Sequence, residues 1–200
     1  LNVVAKKVNL IITLPDSVEP VSVIGREGRI KGNRVELYMN QLYGGQEKYA
    51  LVEVRVPEST AGSKLKVARA DVMYENPFTM KQDRSTSVSW TSFSKDKKAV
   101  EASTNVGVVR DYQLNLNAIA QEKAIELSDQ GKKREAARAL KQSAAKLKMF
   151  GSRYRDEALM QEAEAIKEQA DSIEERGMDK KSRKVLRTKS YQMKNQQNAQ

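Results

Sequence analysis

Residues 1–15 read LNVVAKKVNLIITLP, and this stretch decides the fold class. Val8, Leu10, Ile12 and Leu14 recur at every second position, the period of a strand with one buried face, and Pro15-Asp16 supplies turn chemistry directly afterwards. Similar short runs follow at 20–24, 34–42, 47–56, 64–74 and 87–93. Between them stand Gly28, Gly32-Asn33, Gly44-Gly45, Gly62 and Asn76-Pro77. Strands at that spacing with such turns predict an antiparallel β-sandwich over residues 1–96.

Beyond Lys95-Asp96-Lys97-Lys98 the pattern changes. Proline disappears, and Ala, Glu, Lys and Gln dominate, as in helices. Tyr112, Leu116, Ile119, Ala120 and Leu127 mark one helix face, which Asp129-Gln130-Gly131 ends; Ala136, Leu140, Ala144 and Leu147 carry the next. After Phe150-Gly151-Ser152 a third helix places Leu159, Ala163, Ile166, Ala170 and Ile173 on one face. The expected architecture is therefore α+β: an antiparallel β-sandwich at 1–96, then a helical hairpin plus third helix at 97–178. A basic, frayed or disordered tail is expected at 179–200, with Lys180, Lys181, Arg183, Lys184, Arg187, Lys189 and Lys194 and no acidic residue from Lys180 on, closing on NQQNAQ.

Composition narrows the chemistry. The 200 residues hold no Cys and no His, which removes thiolate nucleophiles, disulfides, Cys-ligated zinc and the commonest general base. No apolar run approaches the roughly 20 residues that span a bilayer, so the segment reads as soluble. Lack of Cys slightly favours the cytoplasm, while export would depend on sequence in front of Leu1. The net charge of +10 is evenly spread: residues 1–98 carry 16 basic and 11 acidic groups, so each half contributes about +5.

The opening stretch, together with LYGGQEKYALVEVRVP at 42–57, resembles the segment that follows the von Willebrand factor A domain in bacterial proteins described as calcium-activated chloride channel homologues. The resemblance implies that an A domain precedes Leu1, and that the metal-dependent adhesion site of such domains is missing from these residues. A literal D-x-S-x-S occurs at Asp83, Ser85 and Ser87, but it precedes VSWTSFS, an antiparallel strand, rather than following a buried parallel one; it reads as chance.

Other candidates also read as structure. The carboxylates Glu162, Glu164, Glu168, Glu174 and Glu175 form a solvated helix flank. The glycines near 25–28 and 44–45 are hairpin turns, since no helix N-terminus follows to receive a phosphate. Trp90, in period with Val88, is expected in the core. Tyr38, Tyr43 and Tyr49 surround the 42–47 turn, where they either form an exposed edge for a partner or pack the end of the sandwich. The Ala-rich hairpin around Gly131 looks similar to a single tetratricopeptide-like unit, and one unit makes no array.

The resulting expectation is a non-enzymatic accessory region that follows an A domain and supports protein assembly, with no metal and no cofactor. Tyr38, Tyr43, Tyr49, Leu159, Ile166 and Ile173 are its candidate contacts with a protein partner or a second copy. The alternative is a binder of nucleic acid or an anionic membrane acting through the seven basic residues of the tail.

Overall fold

The computed structural model describes residues 2–195. They form seven strands and five helices in two compact units that divide between Thr104 and Asn105. The chain is thus mixed α and β, its strands all paired antiparallel and its helices gathered towards the C-terminus. Among the described residues no helix is long and apolar enough to cross a membrane.

The first unit holds β1 (Val3–Thr13), β2 (Glu19–Ile24), β3 (Arg29–Lys31), β4 (Arg34–Tyr43), β5 (Leu51–Arg55), β6 (Lys64–Asn76) and β7 (Lys81–Ser92), followed by the short α1 (Lys97–Ala102). Five strands make one sheet in the order β3-β4-β1-β6-β7, and β2 pairs with β5 in a separate ribbon. In place of an evenly layered sandwich, the strands divide into a sheet of five and a ribbon of two. The six strands expected from periodicity are present; β3 lacks a periodic signal because only Ile30 in its three residues is apolar.

Residues directly opposite across an antiparallel pair share a face, so register divides the sheet. Leu10, Leu37 and Val72 lie side by side on the inner face, as do Ile12, Val35 and Ala70. Val8 packs with Met39 and Ala5, and Leu14, Val18 and Val35 are almost fully buried. The outer face carries rows of alternating sign: Glu36, Ile11, Asp71 and Thr86 in one, Arg34, Thr13, Arg69 and Val88 in the next.

Asp71 is the hub of that outer face. Its carboxylate accepts from the Thr86 hydroxyl at 2.6 Å, Arg84 Nη2 at 2.8 Å and Arg69 Nε at 3.1 Å, tying β6 to β7. The two guanidiniums cover it to 7% exposure. The Thr86 hydroxyl first, then Arg84 and Arg69, hold the Asp71 carboxyl well below the ordinary carboxylate range, outweighing desolvation.

The second unit holds α2 (Val106–Asp129), α3 (Lys133–Tyr154), α4 (Glu157–Arg176) and α5 (Lys180–Asn195). Helix α3 packs on α2 and α4, and α5 packs back on α2. The shared core joins Ala124, Ile125, Leu140, Ala144, Leu147, Leu159, Ile166, Ile173 and Leu186. Asp156 caps α4 by accepting from the Leu159 amide at 3.2 Å while Arg110 of α2 donates to it at 2.5 Å. Burial would raise the Asp156 carboxyl, but these partners carry it below its usual value.

Two expectations about the helices are corrected. Gly151 does not end a helix: α3 runs through it to Tyr154, and the break comes at Arg155 in the left-handed conformation, φ 54°. A Cβ on Gly151 would stand 2.7 Å from Met160 Cγ and 3.1 Å from the Asp156 carbonyl, so glycine lets α3 and α4 approach. The tail is likewise no frayed end over 180–195. Its Leu186 is fully buried against the bundle, and Arg183, Lys189 and Lys194 pair with Asp129, Glu162 and Glu122. Residues 196–200, the end of NQQNAQ, lie outside the described residues.

Two measurements check this packing. Gly151→Ala should destabilise the helical unit by about 1–3 kcal/mol through overpacking, and Ile166→Ala by about 2–5 kcal/mol; denaturant unfolding followed by helical circular dichroism reads both. For Asp71, a depressed native pKa means its contribution is complete above the unfolded value of 3.8 and is lost as pH falls through the native one. Asp71→Asn should therefore lower the melting temperature at pH 7 and flatten its fall on acidification below about pH 4.

Candidate interaction surface

β7 is the last strand on its side of the five-stranded sheet, and β6 is its partner on the other. It is exposed along nearly all of its twelve residues, on both faces. Its inner-face side chains are Asp83, Ser85, Ser87, Ser89 and Thr91, which bring nothing apolar to the core, and burial on that face stops at β6. Backbone pairing from Lys64–Ser92 to Asn76–Lys81 and the Asp71 hub therefore hold the strand.

A strand edge of this length, roughly 40 Å at 3.4 Å per residue, presents a row of unpaired backbone donors and acceptors. Proteins ordinarily blunt such edges with charge, proline or a bulge. Between Ser85 and Ser92, β7 has no charged residue and no proline, and the register shift in this hairpin lies in β6, between Lys66 and Ala68.

The outer face beside that edge is aromatic and basic. Trp90 is 65% exposed and lies opposite Lys66; Val88 is opposite Arg69, and Ser92 opposite Lys64. Trp90 is thus not the core residue its spacing with Val88 suggested. The period-two pattern holds, but its face is the outer one, which the sequence of β7 alone does not label because the inner positions are serines. The signal that could have shown it is the partner strand, where Lys64 and Lys66 do not face a core; Arg69 joins their face only through the register shift between Lys66 and Ala68.

The other expected site residues fall in separate places. Tyr38 is on the outer face of β4, 57% exposed and in the row of Asn9, Met73 and Arg84. Tyr43, half-buried, ends β4, and its hydroxyl accepts from Gln41. Tyr49 is half-buried and influences Arg26. Beside them Lys48 donates to the Gln41 carbonyl at 2.9 Å, and burial, then Arg26, hold its ammonium below the usual lysine range. Leu159, Ile166 and Ile173 are 1–3% exposed in the interior of the helical unit, so they face α3 and its neighbours and not a partner. Of the basic residues expected to act together, Lys180, Lys181, Lys184 and Arg187 share α5 with the three that form ion pairs, which weakens the reading of α5 as a free cationic arm.

The D-x-S-x-S triplet lacks the geometry of a metal site. Asp83, Ser85 and Ser87 lie on one face of an extended strand, so successive members stand about 7 Å apart at their Cα atoms, and the outer two about 13 Å. Ligands of Mg²⁺ must converge to roughly 2.1 Å from one ion. The Asp83 carboxylate already accepts from Asn76 Nδ2 at 2.9 Å, in the turn that closes the β6–β7 hairpin. Among the described residues no group of three acidic, His or Cys side chains comes together to hold a cation. The residues present do not fit a metal-dependent adhesion site.

No protein-family model matches the chain, and no curated protein matches it either. Two solved structures do. One, titled "von Willebrand factor type A from Catenulispora acidiphila", is matched with a TM-score of 0.56 at 13% identity, over 78% of this chain and 39% of its own. The other, titled "Crystal structure of the ArnB paralog VWA2 from Sulfolobus acidocaldarius", gives 0.49 at 13% identity, over 96% of this chain and 42% of its own. The chain therefore spans about two fifths of the length of these neighbours, and its likeness to the first is one of fold. It corrects the expectation that these residues are merely the segment after an absent A domain: over 78% of their own length they share their fold with a chain titled von Willebrand factor type A.

Proposed function

We propose that the chain is a protein-interaction module, without catalysis of its own, that takes an extended acidic segment of a partner along β7. The observation that carries this reading is the twelve-residue open edge with Trp90 beside it. An added strand satisfies the edge's backbone groups, which supplies affinity, while alternate side chains set specificity. Trp90 and Val88 offer apolar contacts on one face, and Lys64 and Lys66 in the adjoining strand select carboxylates there. In the same reading the β2–β5 ribbon forms the second, smaller layer of a sandwich, leaving the β7 side of the sheet for the partner. A fold shared with a chain titled von Willebrand factor type A accords with an interaction role, and the misfit of the D-x-S-x-S triplet points to one that needs no metal at that sequence.

Panning a displayed library of random twelve-residue peptides against the purified chain tests this directly. The enriched peptides should be rich in Asp and Glu with apolar residues at alternate positions. Trp90→Ala and the double change Lys64→Glu with Lys66→Glu should each weaken their binding about tenfold or more, read by fluorescence anisotropy. Enrichment of basic peptides, or binding indifferent to both variants, overturns the proposal.

A further inference from the structure

The turn between β6 and β7 carries two large apolar side chains into solvent. Phe78 is 71% exposed and Met80 87%, the highest values among the exposed large apolar residues described. The turn that presents them is held firmly. Asn76 Oδ1 accepts from the Phe78 amide at 3.0 Å and the Thr79 amide at 3.3 Å, and the Asn76 carbonyl accepts from the Met80 amide at 2.9 Å. Asn76 Nδ2 in turn donates to Asp83, fixing the turn to β7. Met80 has φ 56°, in the left-handed region that favours glycine. A methionine held there, with its side chain in water, gives the fold nothing that glycine would not. Backbone strain of this kind gathers where a chain binds something.

Lysines stand directly behind this tip. Lys81 follows Met80 and lies opposite Asn76, and Lys6 of the neighbouring β1 lies opposite Glu75. A register shift after Lys6 leaves Lys7 exposed beside it, at φ 48°. Two of the three left-handed non-glycine residues described, Lys7 and Met80, thus flank this one end of the sheet. The acids nearby are engaged: Glu75 pairs with Lys7 at 2.7 Å, and Asp83 accepts from Asn76 at 2.9 Å. The charge left over here is positive, on Lys6 and Lys81. Phe78 and Met80 project from a four-residue turn, not from a groove or a broad face. A convex apolar point backed by cations matches a medium that is apolar inside, deformable, and negatively charged at its surface.

We infer that the β6–β7 turn docks on an anionic lipid bilayer. Phe78 and Met80 enter below the headgroups, while Lys6 and Lys81 keep their ammonium groups at the level of the lipid phosphates. Because Asn76 sets the turn in advance, little conformational freedom is lost on contact. Two side chains bury less apolar area than one acyl chain, which by itself anchors only marginally, so the contact is weak and reversible. Lys81 lies four residues, about 14 Å, from Ser85, where the uncharged edge of β7 begins. The inference therefore stands whether or not the strand-edge reading does.

The test is co-sedimentation of the full chain with vesicles of phosphatidylcholine and phosphatidylserine, about 7:3, up to about 5 mM lipid. Binding that rises with the phosphatidylserine fraction and falls with added salt is expected. Phe78→Ser with Met80→Ser should weaken it at least tenfold, and so should Lys6→Glu with Lys81→Glu. Met80→Gly separates binding from folding. It should weaken binding severalfold while the melting temperature holds or rises, since glycine relieves the left-handed φ. In a Trp90→Phe background, Phe78→Trp should give emission that shifts to the blue on vesicles and is quenched by lipids brominated in the acyl chains. If the chain fails to sediment at 5 mM lipid, the inference is wrong. If binding is unchanged by the paired serine substitutions, or the introduced indole is not quenched, a basic surface elsewhere meets the lipid and the inference is equally overturned.

Discussion

The free edge of β7 depends on a division of labour within the five-stranded sheet: burial holds β4, β1 and β6 together, whereas hydrogen bonding holds β7. Val35, Leu37 and Met39 on β4 and Val8 on β1 are nearly or wholly out of water, while the inner-face serines of β7 stay exposed. A strand that contributes no apolar area must be fixed by directional bonds, and net hydrogen bonds contribute about 1 kcal/mol each. The Asp71 hub concentrates three side-chain donors, two of them charged, at one point of the β6–β7 hairpin. Charge-assisted bonds are the stronger kind. That arrangement explains how a strand of serine and threonine stays paired with β6 along its length, across one register shift between Lys66 and Ala68, while leaving its other edge free.

The helical unit solves a related problem in the opposite way. Helices α3 and α4 meet through small residues and leucine or isoleucine: Ala136, Ala144, Ala163 and Ala170 allow close approach, and Gly151 permits the tightest contact near the Asp156 turn. Lys141 to Asp171 and Glu174, and Lys148 to Glu164, bridge the same pair of helices along its rim. Each exposed pair is worth little, so the apolar seam sets the stability. Helix α2 departs from this pattern. Its inward face mixes Ala118, Ala124 and Ile125 with amides, and amides in a core are tolerated only when matched.

The parts of the fold that could be read from the sequence are those where one periodicity ruled without competition. Val8 to Leu14, the 34–42 strand and the seam of Leu159, Ile166 and Ile173 follow strict spacing, and each lies where its spacing places it. Three features escaped for physical reasons. The outward turn of Trp90 is set by Lys64, Lys66 and Arg69 on another strand, so no window on β7 contains it. Apolar spacing puts the inner face of α2 at Tyr112, Leu116 and Ile119, yet Ile119 is 40% exposed and Gln113, Asn117 and Gln121 are inside. Hydrophobic spacing cannot find a face made of amides. The order of α5 depends on Leu186 finding a place against the bundle and on Asp129, Glu122 and Glu162 meeting its cations, contacts from 27 to 72 residues away in sequence.

Backbone geometry likewise separates a motif from a site. Asp83, Ser85 and Ser87 spell a known metal signature, but in a strand the two-residue spacing that the letters require aligns side chains in parallel about 7 Å apart instead of converging them. Gln113, Asn117 and Gln121 spell no signature at all, yet four-residue spacing on a helix stacks them on one side, and packing by α4 and α5 leaves an open cleft whose lining includes two of them. Convergence is supplied by the backbone and by neighbouring elements, not by residue identity. In this chain the letters that look like a site are spread along an open strand, and the letters that look like an ordinary polar helix enclose the one unmet buried acceptor found among the described side chains.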